Sequence, residues 1–348
     1  MDGPVADPSD VARVLLVKLT SLGDVIHGTA AMGALQRAFP QAEIAWAVDE
    51  RFADVPRHHP GVTRVIEGRR FRADPLHELR ELVSATATLR REGVDLAIDI
   101  QGTARSAAWV YASGAPIKAG RGGMRPGWRR AVRPDLGRHA VQVIAEILQS
   151  LGIPAPDPRP ELHWPGAAEE TVSALLGEHG IGGTPFAVIN PFSRWPTKEW
   201  PIARFQELAR RFQRQTGAAL VLTGGLAESE RGTAFARGSE PARVVSFAGA
   251  LDLPGLFCLL KRARLVVTVD SGPMHAAAAV GTPVVALFGP TLPERTGPWG
   301  PGHRVLQAAR PQSHHAYRRA ASAALMERIG LDEVLEAAIG AWGCAPGA

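Results

Sequence analysis

From Arg13 onward, short apolar runs alternate with amphipathic stretches. VLLVKL (14–19) is apolar and rich in branched residues, the pattern of a strand buried on both faces. Residues 25–39 then set Val25, Thr29, Met32, Leu35 and Phe39 at helical spacing and stop at Pro40. EIAWAV (43–48) and VDLAIDI (94–100) repeat the strand pattern, and a charged amphipathic helix is predicted over 78–91. A helix over 139–151 is closed by Gly152, with Pro154 beyond it. The segment IPAPDPRPELHWPG (153–166) carries five prolines and reads as an extended connector, the best place for a domain boundary. A second set follows: strands at 186–190, 219–225, 243–247, 265–270 and 284–289, with helices over 201–215, after Glu228, over 254–263 and over 273–280. A last helix is predicted over 331–342. Such alternation predicts parallel sheets covered on both faces, in two domains with a cleft between them.

Composition narrows the class without naming a function. A length of 348 residues suits two ordinary domains, and 45% apolar with 21% charged residues excludes a disordered or fibrous chain. Cys258 and Cys344 are too few and too far apart for a disulfide framework or a zinc cluster, which suits a reducing cytoplasm. The net charge of +5 favours anionic partners in general. No apolar run approaches the length of a membrane span, and MDGPVADPSD lacks the basic and apolar regions of a secretory signal. A cytoplasmic protein is expected, with contact at a membrane surface left open.

Ligands of open parallel sheets bind beyond the carboxyl ends of the strands, so the loops after strands carry the chemistry. In VTVDSGPMHAAAAVGTP (267–283) a strand ends at Asp270 and a small-residue helix begins after a Ser-Gly-Pro turn. Gly272 allows close backbone approach, the helix start offers free amides, and Ser271 and His275 add side chains suited to a pyrophosphate. Ser271 as a simple helix cap and His275 as a packed residue fit the same letters. In NPFSRWPTKEWP (190–201), Ser193, Arg194 and Lys198 are phosphate-binding types, although a solvated charged loop would look the same. In VKLTSLGDVIHG (17–28), Asp24 reads either as an N-cap or as a carboxylate placed to act as a general base. Lys18 and His27 lie nearby in sequence.

Basic residues concentrate in the first half. Arg64, Arg69, Arg70 and Arg72 surround Glu67, and residues 118–138 carry Lys118, Arg121, Arg125, Arg129, Arg130, Arg133 and Arg138 against Asp135. These are either solvated faces or a surface for several phosphates at once. With Phe71 and Trp128 as the interleaved aromatics and no nucleic-acid motif, a phosphorylated glycolipid or similar acceptor fits better than DNA.

With these loops in place, the chain resembles the ADP-heptose:lipopolysaccharide heptosyltransferases of glycosyltransferase family 9, of the heptosyltransferase I type. The resemblance runs from about Arg13 to Trp299. It is carried by KLTSLGDVIHGTAAMGAL (18–35), INPFSRWPTKEWP (189–201) and VDSGPMHAAAAVGTPVVALFGPT (269–291). WAVDERFADVPRHHPGVTRVI (46–66) and DLAIDIQGTARSA (95–107) support it. It implies an α/β GT-B architecture, two Rossmann-like domains facing across a cleft. Residues 1–165 would receive the acceptor, 166–330 would hold the nucleotide sugar, and a helix within 331–348 would cross back to the first domain. The implied donor is ADP-L-glycero-β-D-manno-heptose. Asp24 falls on the catalytic base and Lys198 on the lysine at the donor phosphates, with Ser193 and Arg194 in its loop. Asp270, Ser271, Gly272 and His275 fall on the nucleotide-diphosphate and sugar segment, with Ser271 where the family often has threonine. Glu228 and Leu251 correspond to positions around the adenosine. Arg69, Arg70, Arg72 and Arg121 match the basic residues that receive the phosphorylated Kdo-lipid A acceptor. No Asp-x-Asp pair stands beside these loops, so neither a metal ion nor another cofactor is expected.

Three rival readings stand beside this one. A nicotinamide dehydrogenase needs a glycine-rich turn after the first strand, and KLTSLGD has a single glycine. A GT-B transferase with another nucleotide sugar or a small natural-product acceptor, or a UDP-sugar epimerase, shares the fold class. A non-catalytic nucleotide-sugar-binding protein would keep the loops with an idle base.

Overall fold

The computed structural model describes residues 5–68, 83, 86–87, 89–91, 93–123, 125–133, 135, 137–311 and 316–344. Arg69, Arg70, Arg72 and most of the helix expected over 78–91 lie outside the described residues. The chain forms two compact units, Met1–His163 and Trp164–Ala348.

The first unit is built on six parallel strands: β1 Arg13–Val17, β2 Glu43–Asp49, β3 Arg64–Gly68, β4 Leu96–Asp99, β5 Ile117–Arg121 and β6 Arg130–Val132. Their order is β3-β2-β1-β4-β5-β6. β1 lies in the middle, with Leu16 opposite Trp46 on one side and Ile98 on the other. Both faces are covered, which is why Val14 to Val17 are all apolar and at most 1% exposed. The second unit repeats the plan with β7 Phe186–Asn190, β8 Ala219–Leu222, β9 Val244–Ser246, β10 Leu265–Val269, β11 Val284–Leu287 and β12 Arg304–Leu306. Its order is β12-β11-β10-β7-β8-β9, again all parallel. Counted from the first strand of each unit, both sheets follow the doubly wound order 3-2-1-4-5-6. The order reverses between β1 and β4 in one unit and between β7 and β10 in the other.

The helix expected over 25–39 is shorter and broken. It begins at Leu22, because Ser21 and Asp24 form a capping box in which Asp24 is the third helical residue rather than the N-cap. It ends at Gly28, where a Cβ would stand 2.8 Å from the Trp46 ring. Thr29 turns its hydroxyl back onto the Ile26 carbonyl at 2.7 Å, a 3-10 turn follows, and the chain resumes as Met32–Ala38. In the second unit, the Ile202–Thr216 helix buries Phe205, Leu208, Ala209 and Phe212 on one stripe. The closing Leu331–Cys344 helix packs on that helix and on β10 and β11, with Val334, Leu335, Ala338 and Ala341 in the same core. Its apolar stripe is used at home, and Trp342 meets Phe212 edge-on at 5.7 Å.

The glycine that ends β5 pairing fixes the carboxyl edge of the first sheet. Gly120 has φ +142°, and a Cβ there would fall 2.2 Å from the Asp99 carbonyl oxygen. Gly120→Ala should therefore destabilise the protein by at least about 2 kcal/mol, read as a lower urea midpoint at unchanged slope.

Candidate active site

In the second unit, polar groups gather where the strand order reverses. Asn190 closes β7 and is buried, and Asp270 follows β10 and is also buried. The Asn190 amide spans the two strand ends. Its Nδ2 donates to Ser271 Oγ at 2.9 Å, Thr268 Oγ1 at 3.1 Å and the Phe192 carbonyl at 3.3 Å. Thr268 directs its own proton to the Val269 carbonyl at 2.9 Å. Ser271 Oγ thus accepts from Asn190, and its hydrogen faces Thr268 Oγ1 at 3.3 Å or an incoming oxygen. Ser271 is the N-cap of the Gly272–Ala279 helix, but its side chain makes no capping bond, so the hydroxyl is not committed to the helix. Gly272 is the first helical residue, and His275 is buried in the first turn. Uncapped amides and the positive end of the helix dipole suit an anion here.

Lys198 ends the short Pro196–Lys198 turn, and its Nζ lies 2.7 Å from Asp270 Oδ2, with the two side chains 15% and 6% exposed. The same ammonium stands 5.2 Å above the Tyr317 ring, which meets Trp195 edge-on at 5.1 Å. Thr197 Oγ1 donates to the Tyr317 carbonyl. The loop is braced from behind. Glu199 accepts the Ser193 amide at 3.0 Å and pairs with Arg231, whose guanidinium covers the Phe192 ring. Ser193 Oγ accepts the Trp195 amide at 3.3 Å, and Arg194 is exposed. Glu228 and Leu251, both half-buried, stand on neighbouring loops. Those loops are joined by the Gly249 amide donating to the Gly224 carbonyl at 3.0 Å.

The first unit has its own polar cluster at its reversal. Gln101 Oε1 accepts the Leu19 amide at 2.6 Å and the Thr20 amide at 3.3 Å, tying the loop after β4 to the loop after β1. Asp24 Oδ2 accepts both the amide and the hydroxyl of Ser21, at 3.0 and 2.9 Å. Lys18 Nζ lies 3.4 Å from Asp24 Oδ1; its side chain is 6% exposed, against 47% for Asp24. Burial works to raise the Asp24 pKa, but the Lys18 ammonium, the Ser21 donors and His27 outweigh it and hold the carboxyl well below the usual range. Asp99, fully buried, accepts the Gln101 and Gly102 amides and the Ser106 hydroxyl, and burial pushes its carboxyl above the usual range. Arg121 ends β5 half-buried, its stem against Gly102.

Among the described residues, His59, Glu161 and His163 place side-chain ligand atoms within 4.8 Å of one another. His59 Nδ1 accepts the Gly61 amide at 3.1 Å, so in the neutral ring Nε2 carries the proton and presents a donor rather than a lone pair. Burial and His163 lower the His59 pKa to about 4, which keeps that ring neutral at pH 7. His59 thus offers the cluster an N–H donor suited to an acceptor such as a water or a carboxylate, rather than a metal-binding lone pair.

Sequence reasoning passed over Asn190, Gln101 and Tyr317. Asn190 and Gln101 were visible as polar residues at or just past strand ends. Tyr317 sits in a stretch without periodicity and gave no signal.

Residues 83–324 match the model of glycosyltransferase family 9 (heptosyltransferase). The chain belongs to glycosyltransferase family 9. It is 35% identical over 310 residues to lipopolysaccharide heptosyltransferase 1 of Pseudomonas aeruginosa, covering 83% of this chain and 81% of that one. It is 30% identical over 318 residues to the Escherichia coli protein of the same name, covering 86% and 94%. Its fold superposes on a family 9 glycosyl transferase from Veillonella parvula with a TM-score of 0.85 at 25% identity, over 97% and 99% of the two chains. On the E. coli heptosyltransferase WaaC with ADP the TM-score is 0.69 at 28% identity, over 86% and 93%. The family 9 chain is thus a glycosyltransferase of GT-B fold, with each unit's polar cluster at its own strand-order reversal.

Removing one partner of the Lys198–Asp270 pair leaves a buried charge. Lys198→Met should cost about 3 kcal/mol in urea unfolding, and Lys198→Met with Asp270→Asn should recover most of it. Additive losses, with the double variant costing as much as Lys198→Met and Asp270→Asn together, would show that the pair carries no such coupling.

Proposed function

We propose that this family 9 enzyme is an inverting heptosyltransferase that moves heptose from ADP-L-glycero-β-D-manno-heptose to a Kdo hydroxyl of the lipopolysaccharide inner core. The reading rests most heavily on one observation: a lysine held by a buried carboxylate beside an uncapped helix start, Lys198 with Asp270 at Gly272–Ala279. That is a preformed site for a diphosphate. The relatives named lipopolysaccharide heptosyltransferase 1 and the neighbour solved with ADP support this choice of donor and acceptor.

In this reading the acceptor oxygen attacks the anomeric carbon on the face opposite ADP. One carbon–oxygen bond forms there while the bond to the diphosphate breaks, with its electron pair leaving on ADP. Asp24, ionised and half-exposed, takes the hydroxyl proton. Lys198, the amides that open the Gly272–Ala279 helix and the Ser271 hydroxyl meet the charge growing on the diphosphate, the task a divalent ion performs elsewhere. Ser193 and Arg194 add donors from the same loop, His275 faces the sugar diphosphate, and Glu228 and Leu251 flank the adenosine. Arg121, with Arg69, Arg70 and Arg72, receives the phosphates of an anionic glycolipid at the inner face of a membrane. No helix among the described residues is long and apolar enough to cross one.

Asp24→Asn should lower kcat by about 10²–10⁴ with the KM for donor little changed, measured as ADP release with Kdo₂-lipid A as acceptor. Retention of a tenth of wild-type turnover would remove Asp24 from the base role. In a thermal-shift series, ADP at 100 times its Kd should add about 2.7 kcal/mol, and UDP and GDP much less. Turnover that survives chelation by EDTA is expected, and inverted configuration at the anomeric carbon should be visible by NMR of the product.

A further inference from the structure

Lys18 is a buried ionisable group for which the mechanism above has no use. Among the described residues it is the one buried lysine, at 5% exposure. Its stem runs beside Gly28, where a Cβ would come within 3.4 Å of Lys18 Cγ and 2.8 Å of the Trp46 ring. The Trp46 indole donates to the Lys18 carbonyl at 3.2 Å, and the Lys18 amide donates to the Ala47 carbonyl at 3.2 Å. Backbone and stem are therefore both fixed, and the ammonium is delivered 3.4 Å from Asp24 Oδ1. The two oxygens of Asp24 are treated differently. Oδ2 takes both Ser21 donors, whereas Oδ1 meets Lys18 at a long distance and belongs to a side chain that is 47% exposed. One oxygen accepts both Ser21 donors; the other faces the Lys18 ammonium.

We infer that Lys18 is a positioning residue for the transfer, its buried ammonium holding Asp24 Oδ1 as the oxygen that takes the acceptor proton. This rests on the reading of Asp24 as the base. The proton passes from the acceptor hydroxyl to Oδ1, and Lys18 keeps its own proton throughout. A neighbouring ammonium weakens the carboxylate as a base, and in exchange fixes its charge and its direction. The groups around Asp24 are Lys18 from the end of β1, Ser21 and His27 from its own helix, and His139 from the Ala140–Ser150 helix packed against it. His139 stands 5.2 Å edge-on from His27. Of these, Lys18 is the permanent cation.

The test compares Lys18→Met, Asp24→Asn and the double variant with ADP-heptose and Kdo₂-lipid A from pH 4.5 to 8. ADP binding, at residues of the other unit, serves as the check on folding. Lys18→Met should lower kcat about 10- to 100-fold at pH 7.5 while the KM for donor stays within about twofold. Without the ammonium the Asp24 pKa rises, so the acidic limb of kcat/KM should move up by about 1–3 pH units. Added to Asp24→Asn, the lysine change should cost nothing further. Should Lys18→Met fail to fold, Lys18→Gln carries the same measurements. An unmoved acidic limb, or a loss that multiplies with that of Asp24→Asn, would overturn the role of Lys18 while leaving Asp24 as the base. An Asp24→Asn enzyme of near-normal rate would instead overturn the base reading itself.

Discussion

Each sheet has one place where neighbouring strands send their following loops to opposite faces, and backbone groups there lose the partners a ladder would supply. A buried amide or carbonyl without a partner costs as much as a lost hydrogen bond, so the gap must be bridged by side chains. In the first unit Gln101 reaches back to the Leu19 and Thr20 amides. In the second, Asn190 reaches across to Ser271 and Thr268. Both bridges are side-chain amides, groups with donors and acceptors and no charge. The loops they hold are the ones that present Asp24 in one unit and Ser271 with Asp270 in the other. The crevice that open sheets offer to ligands is thus given its shape by two residues that need not touch a ligand at all.

Each cluster also contains a lysine paired with an aspartate, and the two pairs differ in a way that suits opposite tasks. Lys198 and Asp270 are close, at 2.7 Å, and nearly enclosed. In the proposed reaction their pairing keeps a cation in place before any phosphate arrives, and removes the cost of gathering it. Lys18 and Asp24 are farther apart, at 3.4 Å, with the cation enclosed and the carboxylate half-open. There the anion is the part offered outward. The proposed transfer needs a fixed positive group where charge grows and an accessible negative group where a proton is lost, and in that reading Lys198 is the first and Asp24 the second.

The apolar strands were legible because a strand covered on both faces has to be continuous in branched apolar residues, as VLLVKL and LVVTVD are. Most strands toward the sheet edges were not, β9 excepted. β3, β5, β6 and β12 carry arginine, lysine or glycine in short runs such as IKAGR and RAV, which periodicity cannot separate from loop. The Ala104–Ala112 helix was hidden for a different reason: its capping box pairs Thr103 with Ser106, without the acidic or amide residue that flags such a start. Candidate residues grouped within one loop, Lys198 and Ser271 among them, could be picked out from sequence. Asn190 and Gln101 could not, since their role depends on which strands become neighbours, a property of topology rather than of local pattern.

Asp24 shows how a structural role and a proposed chemical role can rest on the same bonds. Read as letters, it was either a helix cap or a base. In the fold it is the third residue of a capping box, and the two Ser21 bonds that begin the helix occupy Oδ2 alone. A carboxylate has two oxygens, so satisfying the helix start with one leaves the other in a fixed direction. Rotation of the group, which would scramble the two, is resisted by the Ser21 donors on one side and the Lys18 ammonium on the other. In its proposed role as base, Asp24 would therefore be aimed by the cap. Replacing Ser21 would loosen the carboxylate without removing it, and losing the helix start and losing catalytic aim would then be one event measured twice.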